Sequence, residues 1–188
     1  WKDNLDRHAS MQGLMTFAIE QSYELAKMLG CEGEVADWPK VVKDMRKASR
    51  AMFYDKKLGV VKSGPDAQIS YLSQVWMILS ETLTQKEAVR ALEYVLADDS
   101  TCYIGSPYAY HYLIEAMIKS GMEERAREML ITYWGDMVNK GADTFWEVYD
   151  PNDDYKSPYK YYPMNSYCHA WSCTPVYFIY KYKDIFQR

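Results

Sequence analysis

The feature that most constrains the fold of this chain is a helical pair that occurs three times. In each pair, an apolar segment is followed by a tight turn and then by a charged amphipathic segment. The turns are LGCEGE at 29–34, LTQKEA at 83–88 and SGMEER at 120–125, and the links that follow the pairs are 54–66, 98–106 and 141–167. Short links at one end and long links at the other predict αα-hairpins whose long loops gather on one face.

Hydrophobic periodicity predicts a chain that is mostly helical and contains almost no strand. The predicted helices are 9–29, 34–53, 67–82, 85–97, 107–119, 122–139 and 168–182. The first helix should bury Met11, Leu14, Met15, Ala18, Tyr23, Leu25, Ala26 and Leu29. The second should direct inward Val35, Trp38, Val41, Val42, Met45 and Met52. Gly30 should end the first helix, and Thr84 with Glu87 should form a capping box at the start of the fourth.

Apolar helices must be buried, so they should line the inside of the fold while the charged helices form an outer layer. This arrangement fits an all-α protein, either an α/α toroid or an α-solenoid. Scaffold repeats of the solenoid kind keep a period of about 34 residues with short loops. Here the tight turns begin 54 and then 37 residues apart, at positions 29, 83 and 120, so the toroid is favoured. Because closure needs about twice as many hairpins, we expect residues 1–188 to form half a ring, a partial barrel whose upstream half lies outside this chain.

Charge and hydropathy exclude several classes of function. The net charge of −4 and pI near 5.4 argue against nucleic-acid binding, which needs clustered Lys and Arg. The sequence contains no run of 18 apolar residues, so no membrane-spanning segment is predicted. The N-terminal residues WKDNLDRHASMQG do not resemble a signal peptide and do not begin with Met, which favours an excised piece of a longer chain. The compartment therefore stays open, with a periplasmic or secreted location preferred.

No metal and no cofactor is predicted. The four cysteines, at 31, 102, 168 and 173, have neither zinc spacing nor a CxxC pair, and we expect buried free thiols. Cys168 and Cys173 could alternatively pair in an oxidising compartment. His8 and His111 have no partners at ligand spacing, and DPNDD at 150–154 lacks the glycine and final glutamate of an EF-hand.

Aromatic residues are abundant, with 18 Tyr, 6 Trp and 5 Phe, and many lie outside the helical segments. Aromatic side chains with polar tips suit sugar binding, because their rings stack on sugar C–H faces while the tips form hydrogen bonds. Candidate sugar platforms are Trp146, Trp171 and Trp76, with Tyr108 and Tyr110 placed to reach the same pocket. Each of these side chains could instead pack in the core.

The densest signal lies at 141–173, where GADTFWE (141–147) is followed by SYCHAWS (166–172). These two motifs resemble the paired motifs near the end of the catalytic barrel of bacterial α-L-rhamnosidases, which belong to the six-hairpin glycosidases. Supporting matches are LAKMLG (25–30), FYDKKLGVV (53–61), SPYAYHYLIEAMIKSG (106–121) and YWGDMVNKGADTFWE (133–147). The resemblance covers nearly the whole chain.

The resemblance implies that Glu147 is the general base of an inverting glycoside hydrolase that acts on α-L-rhamnosides of plant or bacterial glycans. An inverting enzyme uses one carboxylate to activate water and a second, protonated one to protonate the leaving oxygen, about 6.5–9.5 Å away. The resemblance also implies that His169 hydrogen-bonds a sugar hydroxyl, although a core or capping histidine is the alternative. Read without the family, Glu147 would be a solvated loop residue.

Two other readings stay open. Related six-hairpin folds host other glycosidases, phosphorylases and sugar lyases, and fold analogy alone does not separate these. A helical-repeat scaffold that binds proteins would instead need regular repeats and few loop aromatics. The expected partners are a rhamnose-containing glycan and the upstream half of the barrel. The two ends of a half-ring should expose apolar surface, so the chain should also dimerise.

We predict that residues 1–188 alone do not hydrolyse rhamnosides. The resemblance places the family's general acid in an acidic stretch upstream, and residues 1–140 contain no match for that stretch. The isolated chain should therefore hold the base without the acid. Release of the phenol from an aryl α-L-rhamnoside measures this directly, and sustained turnover by the isolated chain would contradict it.

Overall fold

The computed structural model describes residues 4–161 and 164–187, which divide into two compact units. The N-terminal unit, residues 4–103, contains four helices and a hairpin: α1 (His8–Leu29), α2 (Trp38–Phe53), β1 (Tyr54–Asp55), β2 (Val60–Val61), α3 (Tyr71–Leu79) and α4 (Gln85–Ala97). The C-terminal unit, from Ile104 onward, contains α5 (Pro107–Lys119), α6 (Glu123–Asn139), α7 (Thr174–Lys181) and α8 (Lys183–Phe186). Within the described residues, no helix is both long enough and apolar enough to cross a membrane.

Helix α1 packs on α2 and α3, and both Gly13 and Phe17 of α1 lie next to Trp76 of α3. Ala9, Gly13 and Thr16 are buried. A methyl group added at Gly13 would lie 2.8 Å from the carbonyl carbon of Trp76, so only glycine permits this close approach of the two helices.

The predicted apolar face of α1 is mostly wrong. Of the predicted residues only Ala26 is buried, whereas Met11, Met15, Leu25 and Leu29 are 48–70 % exposed. In α2 the prediction holds for Val42 but not for Val41 or Met52. The reason is physical: the side of α1 that is buried carries Ala9, Gly13 and Thr16, with Gly13 against α3, and it lies opposite the large apolar residues.

Several predicted boundaries also differ from the structure. The second helix begins at Trp38, after a 3₁₀ turn at Glu32–Val35, and not at residue 34. The third is shorter than predicted, because Ser70 caps it by accepting a hydrogen bond from the N–H of Ser73 and residues 80–82 turn away. The last predicted helix is a 3₁₀ turn at Ala170–Ser172 followed by two short helices. The capping box of Thr84 and Glu87 is confirmed.

Gln74 fixes the hairpin to α3. Its side-chain oxygen accepts a hydrogen bond from the N–H of Val61 (2.7 Å), and its amide nitrogen donates to the carbonyl of Val61 (2.9 Å). Both residues are at most 1 % exposed. A buried main-chain group without a partner costs about 1–3 kcal/mol, so this polar residue belongs in an otherwise apolar helix.

The C-terminal unit is built on the α5–α6 pair, with α7 against α5 and α8 against α6. Its buried side chains include Leu113, Ile114, Met117, Met137 and Phe178. Glu115 of α5 anchors the end of α7 by accepting hydrogen bonds from Lys181 Nζ (2.7 Å) and the Tyr182 hydroxyl (2.5 Å). The four cysteines are free as predicted, but none of them is buried: Cys31 and Cys102 are partly exposed, and Cys168 and Cys173 are exposed.

Candidate active site

Glu147 lies on a short ribbon formed by two loop segments, residues 145–148 and 165–169, which we call the Glu147 ribbon. The Glu147 N–H donates to the carbonyl of Ser166 at 2.8 Å, and the His169 N–H donates to the carbonyl of Phe145 at 2.9 Å. This pairing is antiparallel, and one extra residue on the second segment separates the two bonds. The two sequence motifs that carry the family resemblance are therefore directly hydrogen-bonded to each other.

The carboxylate of Glu147 is buried, with the residue only 5 % exposed. Its Oε2 atom accepts a hydrogen bond from the Ser166 N–H at 3.3 Å, in the place where a regular ladder would use the carbonyl of residue 147. Within the described part of the C-terminal unit, no Lys, Arg or His forms an ion pair with it. The carboxylate is thus held in place by a main-chain hydrogen bond and not by a cation.

Two side chains fix the main chain on either side of Glu147. The Ser172 hydroxyl donates to the carbonyl of Trp146 at 2.7 Å. Asn165 accepts a hydrogen bond from the Val148 N–H (3.2 Å) and donates to the Val148 carbonyl (3.0 Å). Sequence reasoning missed both residues; the available signal was the final serine of SYCHAWS, a small polar residue that is fully buried here.

Two aromatic residues of α6 donate hydrogen bonds to the main chain next to the Glu147 ribbon. Trp134 donates its indole N–H to the carbonyl of Ser172 at 2.8 Å, and the Tyr133 hydroxyl donates to the carbonyl of Tyr149 at 2.9 Å. Both are nearly fully buried, and burial raises the pKa of Tyr133 well above its usual range. Its hydroxyl therefore stays protonated and keeps donating.

The Glu147 ribbon has two faces, and Trp146 belongs to the face away from the carboxylate. Of the ribbon residues, Trp146, Val148, Asn165 and Tyr167 line a cavity of about 440 Å³, whereas Glu147 and Ser166 do not. This alternation is that of an extended chain, in which successive side chains point to opposite sides. The structure thus separates Trp146 from Glu147, although the two are adjacent in sequence.

Three other predicted residues lie together. Trp171 is 4.3 Å from the His169 ring and 5.2 Å from the Tyr108 ring, measured between centroids. Tyr108 is 43 % exposed and Trp171 is 38 % exposed, so this aromatic cluster is accessible. It is connected to the Glu147 ribbon through the main chain of His169.

The remaining candidates have packing or surface positions. Trp76 lies in the N-terminal unit, where it is 8 % exposed and contacts Phe17. Tyr110 stacks on Tyr133 with centroids 4.0 Å apart. His111 is packed against Tyr177 and Phe178, and its burial lowers its pKa.

Two of the three aspartates in the acidic loop at 150–154 form ion pairs with lysines. Asp154 pairs with Lys140 at 2.7 Å, and Asp150 pairs with Lys156 at 3.6 Å. No group of three or more His, Cys, Asp or Glu side chains suited to a metal ion occurs among the residues that the structure covers.

Comparison with known proteins identifies the fold and the family. The family model described as the bacterial α-L-rhamnosidase six-hairpin glycosidase domain matches residues 12–182. A rhamnosidase from Klebsiella oxytoca, solved with rhamnose bound, is 33 % identical with a TM-score of 0.91, covering 97 % of this chain and 36 % of its own. A GH78-family rhamnosidase of Bacillus sp. GL1 is 21 % identical with a TM-score of 0.73, covering 90 % of this chain and 18 % of its own, and it supports the fold alone. No curated protein shows significant sequence similarity to this chain.

This chain spans about a third of the length of the Klebsiella rhamnosidase. The match of the family model over nearly all of the chain, together with this structural likeness, confirms the all-α six-hairpin fold expected from the motifs. The chain belongs to the six-hairpin glycosidase domain family of the bacterial α-L-rhamnosidases.

Proposed function

We propose that this chain is part of an inverting glycoside hydrolase that cleaves α-L-rhamnosides, with Glu147 as the general base. The observation that carries the proposal is the position of Glu147: a buried carboxylate, without a cation partner in its own unit, held on a ribbon between the two family motifs. In an inverting reaction this carboxylate removes a proton from the water that attacks the anomeric carbon. The rhamnose bound to the Klebsiella relative supports the substrate class.

The general acid is supplied from outside this chain. A general acid must be protonated when the leaving oxygen departs, so its carboxyl cannot be stabilised as an anion by a nearby cation. Asp150 and Asp154, on the loop that follows Glu147, are both engaged in ion pairs with lysines and not with a substrate-facing group. They are unsuited to this role.

The aromatic cluster of Tyr108, His169 and Trp171 contacts the sugar in this proposal. Exposed indole and phenol rings offer faces for the C–H bonds of a pyranose, and the imidazole of His169 can exchange hydrogen bonds with a hydroxyl. Trp76 stays a sequence prediction for the same role.

The exposed face of α1 is where the rest of the barrel packs in this proposal. Met11, Met15 and Leu29 share one side of the helix and are 48 %, 52 % and 70 % exposed. Apolar surface arranged in one stripe is normally covered by a partner. The match to this chain covers only 36 % of the Klebsiella rhamnosidase. We therefore infer that upstream helices of a longer chain cover this face of α1.

In the isolated chain a second copy should cover this face, so residues 1–188 should dimerise. Met15→Lys places a charge in the stripe and should abolish the dimer, whereas Ala48→Lys adds the same charge at an exposed position of α2 and should not. Sedimentation velocity over a range of concentrations measures both variants. A wild-type chain that stays monomeric at the highest concentration would argue against a self-complementary face.

Glu147→Gln should strongly slow hydrolysis by the longer polypeptide that contains this chain. The amide cannot accept the proton of water, and general-base catalysis contributes about 10²–10⁴-fold to a rate, so kcat should fall by about that factor with a smaller change in KM. Glu128→Gln, at an exposed position of α6, is the matched control and should leave kcat unchanged. The assay is hydrolysis of an aryl α-L-rhamnoside, with the anomer of the first product recorded by NMR.

Two results would reject this assignment. The first is a folded Glu147→Gln variant whose kcat stays within a few-fold of the wild type. The second is a first product that retains the anomeric configuration of the substrate, since a base that activates water directly must invert it.

Asn165 and Ser172 act as positioning residues for Glu147. Ser172→Ala should lower kcat by up to about 100-fold with little change in KM, because a displacement of about 1 Å in a reacting group costs that much. Ser166→Ala is the control: only the main chain of Ser166 contacts Glu147, so its kcat should stay unchanged. A folded Ser172→Ala variant, verified by its unfolding midpoint, that keeps wild-type kcat would show that the hydroxyl does not position the base.

A further inference from the structure

The cavity behind the Glu147 ribbon is separate from the face that carries the carboxylate. Trp146, Val148, Asn165 and Tyr167 line it, and the alternation of the ribbon places Glu147 and Ser166 on the other side. A ligand in this cavity would thus lie next to the catalytic segment without contacting the proposed base. Its volume of about 440 Å³ is within the range of small-molecule sites.

One wall of the cavity is an aromatic corner. The Trp146 ring lies 5.5 Å from the Tyr167 ring and 5.6 Å from the Tyr149 ring, with interplanar angles of 82° and 71°. Trp146 and Tyr167 are opposite each other across the ribbon, so the main-chain pairing fixes their spacing. Such a corner offers apolar ring surface in two orientations, and the C–H face of a pyranose can stack on either ring.

The rest of the lining, which we call the charged wall, is almost balanced in charge. Lys140 and Lys156 face Asp150, Asp153 and Asp154, which gives a formal charge of 2 − 3 = −1. Lys140 is paired with Asp154 at 2.7 Å and also donates to the carbonyl of Pro151 at 3.1 Å, while Lys156 lies 3.6 Å from Asp150.

This charge balance selects among ligand classes. A phosphate or carboxylate ligand would need surplus positive charge, and the cavity has none. A metal ion would need a cluster of ligating side chains, and the described residues contain none. Carboxylates, ammonium groups and the Asn165 amide together offer both donors and acceptors, which suits a neutral ligand with many hydroxyl groups.

We propose that this cavity is a second carbohydrate-binding site, which takes a neutral pyranose residue against Trp146. The pyranose stacks on the aromatic corner, and its hydroxyls bond to the charged wall. The proposal does not rest on Glu147 being the general base, since the two groups lie on opposite faces of the ribbon. It assigns to Trp146 a sugar contact that is separate from the cluster of Tyr108, His169 and Trp171.

A titration of the ¹⁵N-labelled chain of residues 1–188 with methyl α-L-rhamnoside, followed by two-dimensional NMR, tests the site. The side-chain amide of Asn165 and the main-chain amides of Val148 and Tyr167 report on the cavity. Trp146→Leu should weaken binding at these signals by about tenfold, the value of one lost aromatic contact. Trp146→Phe, which keeps a ring, should recover most of the affinity.

Trp171→Leu is the matched control, because it removes the same ring from the other aromatic cluster of the same unit. It should leave the sugar-induced shifts of Val148, Asn165 and Tyr167 unchanged.

The proposal is overturned if the sugar shifts none of these signals, or if their response is lost in Trp171→Leu and kept in Trp146→Leu. It is also overturned if galacturonate or rhamnose 1-phosphate binds more tightly than the neutral sugar. Glu147→Gln should leave this binding intact, so a failure of the proposed base and a failure of this site give different results.

Discussion

Hydrogen bonding between two loop segments outside any regular strand is the interaction on which the candidate site depends. The main-chain bonds from Glu147 to Ser166 and from His169 to Phe145 are too few to pair every polar group of a buried segment. Each unpaired main-chain N–H or C=O group there would cost about 1–3 kcal/mol. Side chains form the missing hydrogen bonds with these groups. Asn165 takes both main-chain groups of Val148, and Ser172 takes the carbonyl of Trp146.

The extended shape of this segment determines what its side chains can do. In a helix, neighbouring residues differ by about 100° and would share part of a face. In the ribbon, Glu147 points to one side while Trp146 and Val148 line the cavity on the other. The same geometry lets the carboxylate fold back to the N–H of Ser166, so the group that would accept a proton also completes the pairing that holds it.

The sequence was sufficient to predict the order of the hairpins, the capping box of Thr84 and Glu87, and the motif that contains Glu147. It misplaced the buried face of α1, because periodicity weights large apolar side chains, whereas the face that is buried carries Ala9, Gly13 and Thr16. The small residues are buried because they allow close approach, a property that hydrophobicity does not measure.

The ribbon itself was beyond prediction for a different reason. Its bonds are between main-chain groups, which every residue carries, and they join segments separated by the long loop that follows residue 148. No pattern of side chains marks such a pairing. Sequence adjacency therefore suggested one pocket for Trp146 and Glu147, and only the pairing shows that they lie on opposite faces.

Asn165 connects the main chain next to Glu147 with the cavity that contains Trp146. Its amide holds the main chain of Val148, next to the carboxylate, and it also lines the cavity that contains the Trp146 ring. A ligand in the cavity would therefore lie against the side chain that holds the main chain of the residue after Glu147. A substitution at Asn165 alters the cavity and the position of the carboxylate together, whereas Trp146 contributes only its ring to the cavity and its carbonyl to Ser172. Trp146 is for this reason the residue at which the proposed sugar site can be tested separately from the proposed base.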